Sequence, residues 1–218
     1  MKFNTYICNM KKIILTITLL ISVNLFSQNK SDIIDYTNIN YKLLNSLVFE
    51  YSNLERENIK VPKLIEEKTC LMASNYQSEY LKTNIVFSHK NSKELKGIKL
   101  VNPEDRFNFF KEKTKITQLY SGEILCRYEI NLINKISYEN LAKTVVSTWM
   151  NSLPHKVHLI KWAEYTTKEM FCGFTSSSII LSSNRISFYF VGVISYEIDE
   201  KKSLGFYEKN LQFISKNK

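Results

Sequence analysis

The sequence is poor in the residues that build the commonest nucleotide sites. Only 5 of its 218 residues are glycine. None of them falls in a P-loop or a dinucleotide fingerprint, the glycine-rich turns that let backbone close on phosphates. Runs of one charge are missing too. Thirty Lys and Arg stand against 21 Asp and Glu, a formal net charge of +9, yet the lysines are scattered among Asn, Ile and Glu. No block of five or six like charges forms, so the basicity describes a solvated surface and no nucleic-acid partner is expected. After Phe26 no apolar segment is long enough for a stable membrane span. Cysteine is scarce as well. Cys70, Cys126 and Cys172 are the three beyond the N-terminal stretch, and their spacing fits no zinc motif. An odd number allows at most one internal disulfide; three buried thiols acting as small hydrophobes are the alternative.

Apolar material is plentiful. Hydrophobic residues make up 44% of the chain, with 13 Phe and 13 Tyr, enough for the core of one domain of ordinary size. The N-terminus has a more specific pattern. Met10-Lys11-Lys12 precedes an apolar run from Ile13 to Phe26, and Ser27-Gln28 comes next. A short positive segment, an apolar stretch and a small residue at its end describe a secretory signal peptide over residues 1–27, cleaved after Ser27. The run includes Thr16, Thr18, Ser22 and Asn24, so it is a poor membrane anchor. Without Lys2, Lys11 and Lys12, +6 of the net charge remains. The implied location is secreted or periplasmic.

Residues 28–43 are polar and expected to be loosely ordered, 44–195 are expected to form the domain, and 196–218 are a charged tail. Leu44, Leu47, Val48, Tyr51 and Leu54 recur at helical steps. Ile65, Met72, Ala73, Tyr76 and Tyr80 predict a second helix with Pro62 at its start. Pro103-Glu104-Asp105-Arg106 reads as a helix start with acids in the first turn. Alternation over residues 119–133 is mixed, and the stretch about Gly122-Glu123-Ile124 reads as strand or extended loop. Ser137 is a candidate N-cap for a helix whose apolar columns hold Leu141, Ala142, Val145, Val146, Trp149 and Met150, and Pro154 is expected to end it. Phe171–Leu181 and Ile186–Ile194 predict two strands around a polar turn. The run Phe188–Val191 is apolar on both faces, as in a central strand. In the tail, Leu204, Tyr207, Leu211 and Ile214 fall at helical spacing. Helices succeeded by an antiparallel pair predict an α+β layered domain.

Six local patterns then fall in a shared order. They are Asn53-Leu54-Glu55-Arg56; Leu71 and Ala73 followed by Ser88-His89; Pro103-Glu104-Asp105-Arg106; Ser121-Gly122-Glu123-Ile124; Val146-x-x-Trp149-Met150-Asn151-Ser152-x-x-His155-Lys156-x-His158; and Cys172-Gly173-Phe174. In this order the chain resembles the bacterial branch of the CAP superfamily, which includes SCP-like, cysteine-rich secretory, antigen 5 and pathogenesis-related-1 proteins. The resemblance spans about Leu44 to Ser195 and departs from the family at Ile124, Lys156 and His158. It implies a three-layer α-β-α sandwich with a central antiparallel sheet. It also implies a cleft in which His89, Glu123 and His155 gather, as ligand-binding residues and as ligands for a divalent metal such as zinc.

Two imidazoles and a carboxylate suit zinc and leave one position open to water. Ser152 stands where many family members carry a second glutamate, which argues for weak affinity. The alternative is that the three side chains hydrogen-bond to one another and to backbone, orienting loops. Neutral histidines would be needed for a metal, so affinity would fall below about pH 6.5. A serine hydrolase is disfavoured, because no G-x-S-x-G elbow surrounds Ser152, which reads as a helix end bonded to backbone. His158 alone reads as a helix-flanking surface residue, and Trp149 and Met150 as core. The leading functional expectation is a non-enzymatic extracellular binding module for a small apolar ligand, an ion or a peptide segment. The rivals are a metal-dependent hydrolase with Glu123 as base and a structural envelope protein with a vestigial cleft.

Overall fold

The computed structural model describes residues 28–114, 120–160 and 169–197. The expected signal peptide and the tail beyond residue 197, including its expected helical spacing, lie outside the described residues. Capping and apolar spacing explain most of the elements. Helix α1 (Tyr41–Asn58) begins where the Asn40 side chain accepts the Leu43 N–H, at 3.0 Å. Its inner face holds Leu44, Leu47 and Val48, while Leu54 is exposed. Helix α3 (Pro103–Thr114) opens on proline with Glu104 and Asp105 in its first turn. Helix α4 (Tyr138–Asn151) is capped by Ser137, as the sequence predicts.

The second helix starts later than Pro62. Helix α2 spans Lys68–Asn84, and the Glu67 carboxylate accepts the N–H groups of Thr69 and Cys70. The residues ahead of it are extended. Ile65–Glu66 form β1, which pairs in parallel with Phe171 and Cys172, and Ile65 is exposed. Cross-chain pairing and the Glu67 cap thus override the helical spacing seen at Ile65. Pro154 differs from expectation too. The helix stops at Asn151, and Pro154 sits near the start of a further short helix, α5 (Leu153–Leu159). Proline suits a first turn, so it opens one helix here and does not end the other.

Strands β2 (Tyr120–Asn131), β3 (Phe171–Ser182) and β4 (Arg185–Tyr196) are antiparallel neighbours in the sheet order β1-β3-β4-β2. The central sheet is antiparallel as expected, with the two-residue parallel strand β1 added at one edge. β4 is central and buried on both faces. Phe188, Phe190 and Ile194 join one core with Leu47, Leu141, Val145 and Trp149 of α1 and α4. Tyr189, Val191 and Val193 join a second core with Cys70, Ala73, Tyr80 and Phe107 of α2 and α3. Two cores on opposite faces of one sheet make an α-β-α sandwich. Trp149 is fully buried and stacks on Phe174, with ring centroids 5.7 Å apart. Where β3 meets α2, Gly173 permits close approach, since a Cβ there would lie 2.2 Å from the Leu71 nitrogen.

The polar N-terminal segment is fastened to the domain. Ile34 is buried, its N–H donates to the Ile136 carbonyl at 2.9 Å, and the Tyr36 ring packs edge-on against Phe188. Arg56 of the Asn53–Arg56 motif is wholly buried. Its guanidinium donates to the carbonyls of Pro62 (2.6 Å) and Leu159, and it contacts Met170 Sδ at 3.5 Å. Burial lowers its pKa to about 10, so it remains a cation at neutral pH. Asn53 exchanges two hydrogen bonds with the backbone of Leu64. Cys70, Cys126 and Cys172 are free and buried. Burial pushes Cys70 up to about 12 and Cys126 up to about 11, which disfavours the thiolate form of both at neutral pH.

Candidate functional site

The site is built around the first residues of β2, which lies at the edge of the sheet. Side chains alternate across the strand, so Glu123 points to the α2–α3 face together with Leu125, and Gly122 to the α4–α5 face together with Ile124. Glu123 is buried, and its charge is answered by the fully buried Arg106 of α3. The Arg106 guanidinium donates to Glu123 Oε2 from Nε (3.0 Å) and Nη2 (2.7 Å), and to Oε1 from Nη2 (2.8 Å). It also donates to the carbonyls of His89 (2.8 Å), Leu100 and Val101 (3.3 Å each). Glu123 in turn accepts the Nδ1–H of His89 at 3.0 Å. This is a three-part chain: arginine fixes the carboxylate, and the carboxylate fixes the half-exposed imidazole of His89 through its Nδ1.

On the other face, Gly122 makes room for an imidazole. A Cβ at this position would lie 2.0 Å from His158 Nδ1 and 2.3 Å from its Cε1. The His158 ring therefore rests against the strand backbone and is not a surface residue. Helix α5 brings His155 and His158 in together, one turn apart. The Nδ1 atoms of both rings are buried and have no hydrogen-bond partner among the described residues. Burial lowers the pKa of His158 to about 4, and charge on His155 and then His89 adds to the shift. His155 is lowered by burial first and by His89 second. All three imidazoles are thus within electrostatic reach of one another near the start of β2.

The structure brings His89 and Glu123 into contact and sets His155 close to His89. The zinc shell of His89, Glu123 and His155 does not fit this arrangement. Both Glu123 oxygens are engaged by Arg106 and one also by His89, so the carboxylate is neither free nor uncompensated. Among the described residues, no group of three or more His, Cys, Asp and Glu side chains is placed to hold a metal ion. The same pairing argues against Glu123 as a general base, since both of its oxygens are already held by a bidentate guanidinium. Ser152 ends α4, its N–H donating to the Trp149 carbonyl at 3.2 Å.

Two members of the site were not singled out for chemistry by sequence reasoning. Arg106 carries a signal in hindsight: a cation in the first turn of a helix opposes the macrodipole and needs a specific partner. His158 has only its proximity to His155. A separate pocket of about 190 Å³ lies between α2, α3 and the turn at residues 95–98, lined by Met72, Tyr76, Leu95, Ile98 and Phe110 among others. That is below the roughly 300–1,000 Å³ of sites for drug-sized ligands.

No protein-family model and no curated protein matches the chain. Solved structures do share likeness with it. An extracellular protein with an SCP domain from Bacillus anthracis is 16% identical at a TM-score of 0.44, over 69% of this chain and 41% of that one. An outer surface protein from Borrelia burgdorferi is 18% identical at 0.49, over 78% of this chain and 99% of that one. A cysteine-rich secretory protein from Staphylococcus aureus is 16% identical at 0.40, over 70% of this chain and 39% of that one. This chain therefore spans well under half of the Bacillus and Staphylococcus proteins. Among the described residues no helix is long and apolar enough to cross a membrane.

Proposed function

We propose that this chain is an exported, non-enzymatic binding module of the CAP type, whose ligand is held by the imidazoles of His89, His155 and His158 at the edge of β2. The observation that carries the reading is the pair of buried, unpartnered Nδ1 atoms on His155 and His158. Buried polar groups are nearly always satisfied, so two of them one turn apart on α5 mark hydrogen-bonding capacity that the described residues leave unused. The ligand class that suits neutral imidazoles is a small molecule or peptide segment carrying a hydroxyl, amide or carboxyl. A small apolar ligand is favoured less, since the apolar pocket is small and lies apart from the histidines. The Arg106–Glu123 pair supports binding over hydrolysis, because it spends the carboxylate on orienting His89.

Histidine-ring NMR of the mature protein tests this. Short peptides and small hydroxy- and carboxy-compounds are titrated in, and the three imidazoles are followed. Binders should shift His155 and His158 together, and His155→Ala should abolish the effect. A panel that leaves both rings unmoved overturns the proposal. Export is checked separately, by mass spectrometry of the secreted or periplasmic fraction, where the N-terminus should lie near Gln28.

A further inference from the structure

Strand β2 runs for 12 residues along the edge of the sheet. Its inner side pairs with β4 along its whole length, and among the described residues no strand pairs with its outer side. A long free edge is a template for another strand, and proteins ordinarily blunt it with charge. The charges on this edge have an unusual arrangement. Arg127 and Glu129 stand two residues apart on the same face, on either side of Tyr128, and both are partly exposed. A single charge would repel a second copy of the strand. An opposite pair set symmetrically about one residue does the reverse.

We propose that β2 is a self-association surface, on which two copies of the chain pair their β2 strands antiparallel about a twofold axis at Tyr128. In an antiparallel pair, opposed residue numbers have a constant sum. With Tyr128 facing its own copy, Arg127 faces the second copy's Glu129, and Glu129 its Arg127. Each carboxylate then sits directly across from a guanidinium, at the spacing where cross-strand pairs act most strongly. The contacts these groups make within one chain are loose, at 3.6 Å from Arg127 Nε to Glu129 and 3.7 Å from Arg185 Nη1 to Glu129, so little is given up. The pairing runs from Leu125 to Asn131 and leaves Gly122 and Glu123 outside the paired stretch. Exposed apolar groups flank it. Ile133 is 80% exposed just past the strand end, and the half-exposed Phe87 ring lies 5.7 Å from the Arg127 guanidinium. The result is one continuous eight-stranded sheet across two copies.

Sedimentation velocity of the mature protein, up to about 1 mM, provides the test. A monomer–dimer equilibrium is expected, since one strand pair with a few flanking contacts is small beside a standard interface. R127E places Glu opposite Glu at both symmetric positions, and E129R places Arg opposite Arg. Each should weaken dimerisation at least about tenfold while leaving the far-UV spectrum and melting temperature near wild type. The double variant R127E/E129R restores opposite pairs and should dimerise again. An equimolar mixture of the two single variants should form a heterodimer that neither forms alone. A protein that stays monomeric throughout, single variants that dimerise like wild type, or a mixture that fails to associate would each overturn the proposal.

Discussion

Gly122 and His158 are sequence-distant partners that share one small volume: the space a Cβ would occupy at 122 is filled by the imidazole of 158. The strand can carry no side chain there while α5 keeps its position. Gly122→Ala should therefore expel the His158 ring, exposing its nitrogen and moving α5. Histidine NMR should show the His158 pKa returning toward about 6.5, its ordinary value. A variant whose His158 still titrates near 4 would mean that the strand yields instead of the ring.

Arg106 and Glu123 should depend on each other for stability. Arg106→Ala leaves a buried carboxylate without its cation and also removes donors to the His89, Leu100 and Val101 carbonyls. Breaking one side of a buried pair costs about 3–5 kcal/mol. Chemical denaturation at neutral pH measures it, and a loss below about 1 kcal/mol would show that water already screens the pair.

Stability should fall in mild acid. The folded pKa of His158 is about 4, below its unfolded value near 6.5. Between those limits the unfolded chain binds more protons, so lowering the pH through this window favours unfolding, and above it the contribution is flat. The penalty is about 2 kcal/mol at pH 5, by linkage. His155 shifts in the same direction. Urea titrations of wild type and His158→Gln at pH 7.5 and 5.0 should show the smaller pH dependence in the variant. Equal slopes in the two proteins would contradict the burial of His158.

Trp149 separates volume from polarity. Trp149→Ala deletes a wholly buried ring stacked on Phe174 and should cost about 3–5 kcal/mol. Its indole nitrogen has no hydrogen-bond partner among the described residues, so Trp149→Phe removes an unsatisfied donor and should cost far less than the alanine variant. Similar losses for the two variants would indicate that the indole N–H does find a partner.

Much of the architecture was legible because it depends on local periodicity. The two-faced apolar run of β4, the Ser137 cap and the columns of α4 arise from spacing alone. The start of α2 was not, because Ile65 and Glu66 are held by pairing with β3, more than a hundred residues away. Pro154 was misread because proline marks both the end of one helix and the opening of the next. In the site, His89 and Glu123 do meet, but their partner is a buried arginine that no spacing argument could aim at them. His158 became visible only once the fold had laid α5 across Gly122.

Arg56 ties the last residue of α5 to the end of α1. It reaches from the end of α1 to the carbonyl of Leu159, the last residue of α5, and to that of Pro62. A charge so deep cannot leave its carbonyls without finding water, so α5 is not a lid that swings on its own. Release of the short helix would require the end of the first helix to loosen with it.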